Sequence, residues 1–134
     1  MPASFLDSNI LIYAFAQNDP RSSRAEELLA AGGVINVQVL NEFANVCRRK
    51  LGWQWLEIES ALAVIDDLLE PARPFTQPVH RRALALARDN QLSFYDALIV
   101  AAAMDAGCRR LLTEDLNDGQ RLGDLTIINP FRLR

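Results

Sequence analysis

Short β-rich runs alternating with longer helical patterns predict an α/β layer architecture around a mainly parallel sheet. Two further observations agree with it. Ala97 to Met104 is an unbroken apolar run that ends near Gly107, and a helix with no polar face belongs in a protein interior. At 134 residues the chain has the length of one domain, 1–134, able to bury about two-thirds of its unfolded surface.

The elements follow in order. Ala3 to Leu6 reads as a first strand, closed by Asp7-Ser8-Asn9. Ile10 to Phe15 reads as a short helix, with strand as the competitor for so β-branched a run. Asn18-Asp19-Pro20 is a turn. Arg21 to Ala31 is an amphipathic helix with Ala25, Leu28 and Leu29 on one side, stopped by Gly32-Gly33. Val34 to Val37 is a strand, and Gln38 to Lys50 a helix with Leu40, Phe43, Val46 and Cys47 inward and Glu42 at the border of that stripe. Gln54 to Leu69 is a helix with Leu56, Leu62, Ile65 and Leu69 inward. The proline-rich stretch from Glu70 to Pro78 holds at most a short strand at Arg73 to Thr76. Val79 to Asn90 is a helix presenting Arg81, Arg82 and Arg88 outward. Ser93 suits the N-cap of the buried helix, with Asp96 in its first turn. Arg110 to Thr113 is a strand, Glu114 to Gly119 a loop and Thr126 to Ile128 the last strand.

Composition narrows the function classes. Net charge is −3, so no overall basic field draws in a polyanion, and Lys50 is the only lysine. Cys47 and Cys108 form no CxxC pair and read as small core residues of a reducing compartment. Between Met1 and Asp7 there is no basic segment or apolar stretch of signal-peptide type, so a cytoplasmic location is expected. GxxxxGK[ST] and GxGxxG are absent, which removes the common nucleotide-binding signatures. A receiver-type phosphoacceptor needs a late lysine, and a haloacid-dehalogenase-like phosphatase needs an acid where Asn9 stands.

The chemistry lies in the placement of carboxylates. In a parallel sheet, sites form outside the carboxyl ends of the strands. Asp7 closes the first strand, and Glu42 lies in the helix that leaves the Val34 strand. Asp96 opens the helix that feeds the Arg110 strand, and Asp115 directly follows that strand. Four acids from four segments thus project toward one edge. Each also has an ordinary reading: Asp7 as a cap, Glu42 as a solvated charge, Asp96 as a capping-box acid, Asp115 as a turn residue, with Asp118 competing for its place. If they converge, each pair about 5 Å apart repels by roughly 3 kcal/mol at an effective dielectric near 20. A hard divalent cation, Mg²⁺ or Mn²⁺, would relieve that repulsion and could serve phosphodiester hydrolysis.

Four stretches in order, Phe5-Leu6-Asp7-Ser8-Asn9, Asn41-Glu42-Phe43, Leu92-Ser93-Phe94-Tyr95-Asp96-Ala97-Leu98-Ile99 and Leu112-Thr113-Glu114-Asp115-Leu116, carry a family resemblance. With these motifs the chain resembles, over essentially its whole length, the PIN-domain ribonucleases of the VapC toxin type. Ser8 stands where that family often has threonine. The resemblance implies a three-layer α/β/α sandwich and a metal site of Asp7, Glu42, Asp96 and Asp115 holding Mg²⁺ or Mn²⁺. It further implies cleavage of RNA, inhibition by a cognate antitoxin protein, and a homodimer. The alternative is a catalytically inactive PIN-like domain that binds RNA or a peptide, with Trp53 and Trp55 lining a groove. Arg48, Arg49, Arg81, Arg82 and Arg88 are the candidates for contact with RNA.

Overall fold

The computed structural model describes residues 3–132. Its sheet has the order β1-β2-β4-β3, with β1 at Phe5–Leu6, β2 at Arg110–Leu112, β3 at Arg121–Leu122 and β4 at Leu125–Ile128. β1 runs parallel to β2 and β2 parallel to β4, while β3 pairs antiparallel with β4. The six helices are α1 (Ser8–Phe15), α2 (Ser22–Ala31), α3 (Val37–Arg49), α4 (Trp55–Leu68), α5 (Gln77–Asn90) and α6 (Phe94–Asp105). α1 to α4 pack among themselves and α5 pairs with α6, giving the α/β/α layering. One contiguous core draws on all ten elements. No helix among the described residues is long and apolar enough to cross a membrane.

Local chemistry accounts for most boundaries. The Asn36 side chain accepts from the Val39 N–H at 3.0 Å and starts α3 there. That cap also cuts short the expected strand at Val34 to Val37, which survives as isolated parallel bridges, Phe5 to Val34 and Asn36 to Arg73. The expected strand at Arg73 to Thr76 shrinks to the same single bridge, because Thr76 already caps α5. Gly33 is needed where this segment crosses β1: a Cβ would meet the Ser4 carbonyl oxygen at 3.0 Å. Ser8 to Phe15 is helical despite its β-branched residues, because Asp7 caps it and a helix buries the Ile10, Leu11 and Ala14 stripe.

Two helices turn differently from their predicted faces. On α4 the buried residues are Ile58, Ala61 and Ile65, and Leu56 is 76% exposed, so the inward stripe is offset from the one expected. On α3 Val39, Phe43 and Cys47 are buried, while Leu40 and Val46 are half-buried. β3, which no sequence pattern marks, is a two-residue edge strand created by its pairing to β4. α6 is as expected: Ser93 caps it, accepting from the Asp96 N–H at 3.2 Å, and every residue from Ala97 to Ala103 is buried.

Candidate active site

The site begins where β1 and β2 end side by side. The Asp7 N–H donates to the Leu112 carbonyl at 3.0 Å, which places Asp7 and Thr113 together at the carboxyl edge of the sheet. Asp7 is 6% exposed. One carboxylate oxygen accepts from the Ser8 N–H at 2.7 Å as the cap of α1, and the other from the Thr113 hydroxyl at 2.7 Å. These bonds favour the charged form, yet burial outweighs them and, with the negative charges of Glu42 and Asp115, pushes the Asp7 pKa up to about 6.

Thr113 is fully used. Besides donating to Asp7, its hydroxyl oxygen accepts from the Asp115 N–H at 3.1 Å and from the Asn9 side-chain amide at 3.3 Å. The Asn9 side-chain oxygen Oδ1 in turn accepts from the Glu114 N–H at 3.4 Å. The Ser8 hydroxyl donates to Glu42 at 2.9 Å and fixes that carboxylate from α3 beside the head of α1. A concavity lined by Ser8, Tyr13, Glu42, Lys50 and Asp115 opens here.

The structure therefore brings Asp7, Glu42 and Asp115 into one electrostatic neighbourhood. Asp96 sits half-buried in the first turn of α6, and among the described residues no hydrogen bond joins its side chain to the other three acids. Asp118, the competitor of Asp115, accepts from the Asn129 N–H at 2.8 Å and lies 3.8 Å from the Arg132 guanidinium, tying down the segment after β4. Among the described residues no three His, Cys, Asp or Glu side chains form a ready metal cage. The donor set is nonetheless hard oxygen, and a buried carboxylate crowded by like charges fits a hard divalent cation.

Three features escaped sequence reasoning. Lys50, which the sequence marks only as the single lysine, lines the concavity; Glu42, Val46 and Lys50 follow one another at a spacing of four along α3 and its C-cap, which was the available signal. Thr113 reads from sequence only as the end of a strand. The third is an ion-pair clamp. The Arg21 guanidinium grips the Asp19 carboxylate at 2.8 and 2.9 Å and reaches Glu114 at 3.0 and 3.1 Å. Its carbon lies 3.7 Å from the centre of the Tyr13 ring, and the Tyr13 hydroxyl donates to Glu114 at 2.5 Å. Burial, reinforced by Glu114, raises the Tyr13 pKa to about 12, so this hydroxyl stays a donor. The bonds to Arg21 hold Asp19 down to about 2. The clamp joins the α1–α2 turn to the residue between Thr113 and Asp115.

The other expected surfaces divide. Trp53 packs edge-on against Phe43 and Phe15 and lines a groove with Leu51, Ala61 and Val64. Trp55 lies outside that lining, 58% exposed, with the Arg48 guanidinium 4.8 Å above its ring. Arg48 is further engaged by the Trp53 carbonyl at 2.9 Å, and Arg88 by Asp89 at 2.7 Å.

A family model described as "PIN domain" matches residues 4–121. Among solved structures, the chain is similar to a toxin–antitoxin complex from Klebsiella pneumoniae, with 21% identity, 98% of this chain and 100% of that chain covered, and a TM-score of 0.73. It is similar to VapBC2 from Rickettsia felis bound to a DNA fragment from its promoter, with 22% identity, 92% and 96% covered, and a TM-score of 0.67. It is also similar to VapC20 of Mycobacterium tuberculosis, described as a sarcin–ricin loop cleaving toxin, with 21% identity, 81% and 87% covered, and a TM-score of 0.65. At these identities the likeness is one of fold. No curated protein sequence matches the chain.

Proposed function

The chain belongs to the PIN-domain family, and from that premise we propose that it is a metal-dependent ribonuclease, the toxin of a toxin–antitoxin pair. The observation that carries this reading is Asp7: a buried carboxylate at the carboxyl edge, its charge opposed by burial and by two neighbouring acids. Asp7, Glu42, Asp96 and Asp115 would hold Mg²⁺ or Mn²⁺. When bound, such a metal supplies an activated water and shields charge developing at phosphorus.

The chain's own residues prepare that site. Thr113 orients Asp7, and Ser8 orients Glu42, so neither carboxylate must be reordered when a cation arrives. Asp96 stands at the head of the buried helix, where the helix dipole favours its charge. Lys50, at the end of α3, places one positive charge on the wall of the concavity, suited to a phosphate oxygen. The reaction class is hydrolysis of an RNA phosphodiester in the cytoplasm.

The antitoxin partner fits the groove of Phe15, Leu51, Trp53, Ala61 and Val64, where an amphipathic helix would bury its apolar face. Support comes from the fold shared with proteins solved as toxin–antitoxin complexes. Exposed Leu84 and Tyr95, on the α5–α6 pair, offer an apolar face for a homodimer.

The test is RNA cleavage by purified protein with Mn²⁺. Asp96→Asn keeps size and capping ability while removing charge, so a ligand role predicts a folded variant with cleavage reduced by about 100-fold or more. Wild-type cleavage by folded Asp96→Asn would remove Asp96 from the metal site and overturn the mechanism proposed here. Binding of RNA without cleavage by either protein would return the alternative, an inactive RNA-binding PIN domain.

A further inference from the structure

The sheet's other edge carries the opposite charge. Arg110 pairs across β2 and β4 with Thr126, and Thr126 pairs across β4 and β3 with Arg121, so the three side chains stand in one row on one face. Arg109 joins them in a single concavity, where Asp124 is the only acid. Arg109 and Asp124 are shared with a neighbouring depression that also takes in Arg82 of α5. Arg110 is shared with another that takes in Arg24 of α2. Five arginines from four segments thus line three adjoining depressions that meet at the amino edge, with Asp124 and Glu70 as the acids among their lining residues.

Most of these guanidiniums are uncommitted. Among the described residues, Arg82, Arg109, Arg110 and Arg121 make no ion pair, whereas Arg21 and Arg88 are engaged by carboxylates and Arg48 by a backbone carbonyl. Four exposed, unpaired guanidiniums so close repel one another and favour an anion between them. The protein as a whole is acidic, with a net charge of −3, so this edge is a local reversal of its field. Because the depressions adjoin one another, the matching anion is a chain of phosphates rather than a single one.

We propose that this arginine edge docks the phosphate backbone of RNA, apart from the carboxylate site and across the sheet from it. The inference rests on the nuclease reading for the identity of the nucleic acid as substrate. α6 runs from one edge to the other, and its twelve residues span about 18 Å. An RNA long enough to cross that distance engages both edges, while a dinucleotide engages the carboxylates alone. Contacts to phosphate confer affinity and salt dependence without sequence preference.

The experiment compares the full chain with its Arg110→Ala/Arg121→Ala double variant, whose changed side chains are exposed and whose melting is expected to match wild type. Binding of an unstructured RNA of about 20 nucleotides is measured in EDTA between 50 and 200 mM salt. The double variant is expected to bind about tenfold more weakly, with the slope of log affinity against log salt reduced by about 1.4. The Arg110→Lys/Arg121→Lys pair should keep most of the slope. With Mn²⁺, KM for the long RNA should rise while cleavage of a dinucleotide stays at the wild-type rate.

Unchanged affinity and slope, or no RNA binding by the wild type, overturns the docking edge. An equal loss of dinucleotide cleavage also overturns it, because the arginines would then act through the carboxylate site. Polyglutamate of matching charge binding as tightly as RNA would reassign the edge to an acidic protein. Arginine-dependent RNA binding by a wild type that cleaves nothing would leave the edge standing and remove the nuclease reading instead. Normal cleavage with arginine-independent binding would do the reverse.

Discussion

Asp7 is the residue at which burial and charge oppose one another. Its folded pKa of about 6 lies above the ordinary value of 3.8, so the folded protein holds this proton more tightly than the unfolded chain does. The stabilisation from that proton is complete below about pH 4 and is lost as pH rises through about 6. The full difference amounts to about 3 kcal/mol. Asp7→Asn is therefore expected to stabilise the metal-free protein by up to about 3 kcal/mol near pH 7.5 and by almost nothing near pH 4. Urea melts in EDTA at the two pH values measure this, and a difference independent of pH would show that the charge is not opposed. The gain would come with loss of cleavage, the usual trade at a charged site.

At the scale of elements, the two tryptophans near the start of α4 have different duties, Trp53 lining the apolar groove and Trp55 lying outside it. Trp53 bridges α3 and the end of α1 through Phe43 and Phe15, so Trp53→Ala is expected to cost about 2–4 kcal/mol. Trp55→Ala should cost about 1 kcal/mol or less, because its ring meets chiefly the Arg48 guanidinium at an exposed position. Equal costs in chemical denaturation would show that the groove is not built as described. The Arg21 clamp ties the α1–α2 turn to the β2 exit loop, and it acts on Asp115 only through Glu114 and the backbone. Arg21→Ala is expected to lower kcat about tenfold with little change in KM, and Arg21→Lys should fail to restore it, since an ammonium cannot grip two carboxylates in this fork geometry. A kcat restored by lysine would reduce the clamp to simple charge.

For the whole molecule, charge is sorted to opposite edges of one small sheet, acids where β1 and β2 end and unpaired arginines where β2 and β4 begin. A divalent cation at the acidic edge would bind only the folded state, so at a hundredfold excess over its dissociation constant it adds about 2.7 kcal/mol. That corresponds to a rise in Tm of about 10 °C for a chain of this size. Thermal melts with Mn²⁺ and with EDTA test it, and coincident melts at millimolar metal would count against a formed site.

The sequence alone was enough for the layer architecture, the buried α6, the caps at Ser93 and Asp7 and the edge at which Asp7, Glu42 and Asp115 emerge. Those features depend on spacing and capping within a few residues, and on the rule that a helix feeding a parallel strand starts at the strand's far end. The family resemblance drew on the same local motifs. Only the tertiary structure decided that Thr113 meets Asp7 across a separation of 106 residues and that Lys50 shares the concavity with Glu42. It also set the rotation of α4 that exposes Leu56, and the cross-strand row of Arg110, Thr126 and Arg121. Each of these follows from register or helix rotation, which depend on how distant surfaces fit together. A local pattern states which residues seek burial or a partner, and only the packing of the whole chain determines which partner they meet.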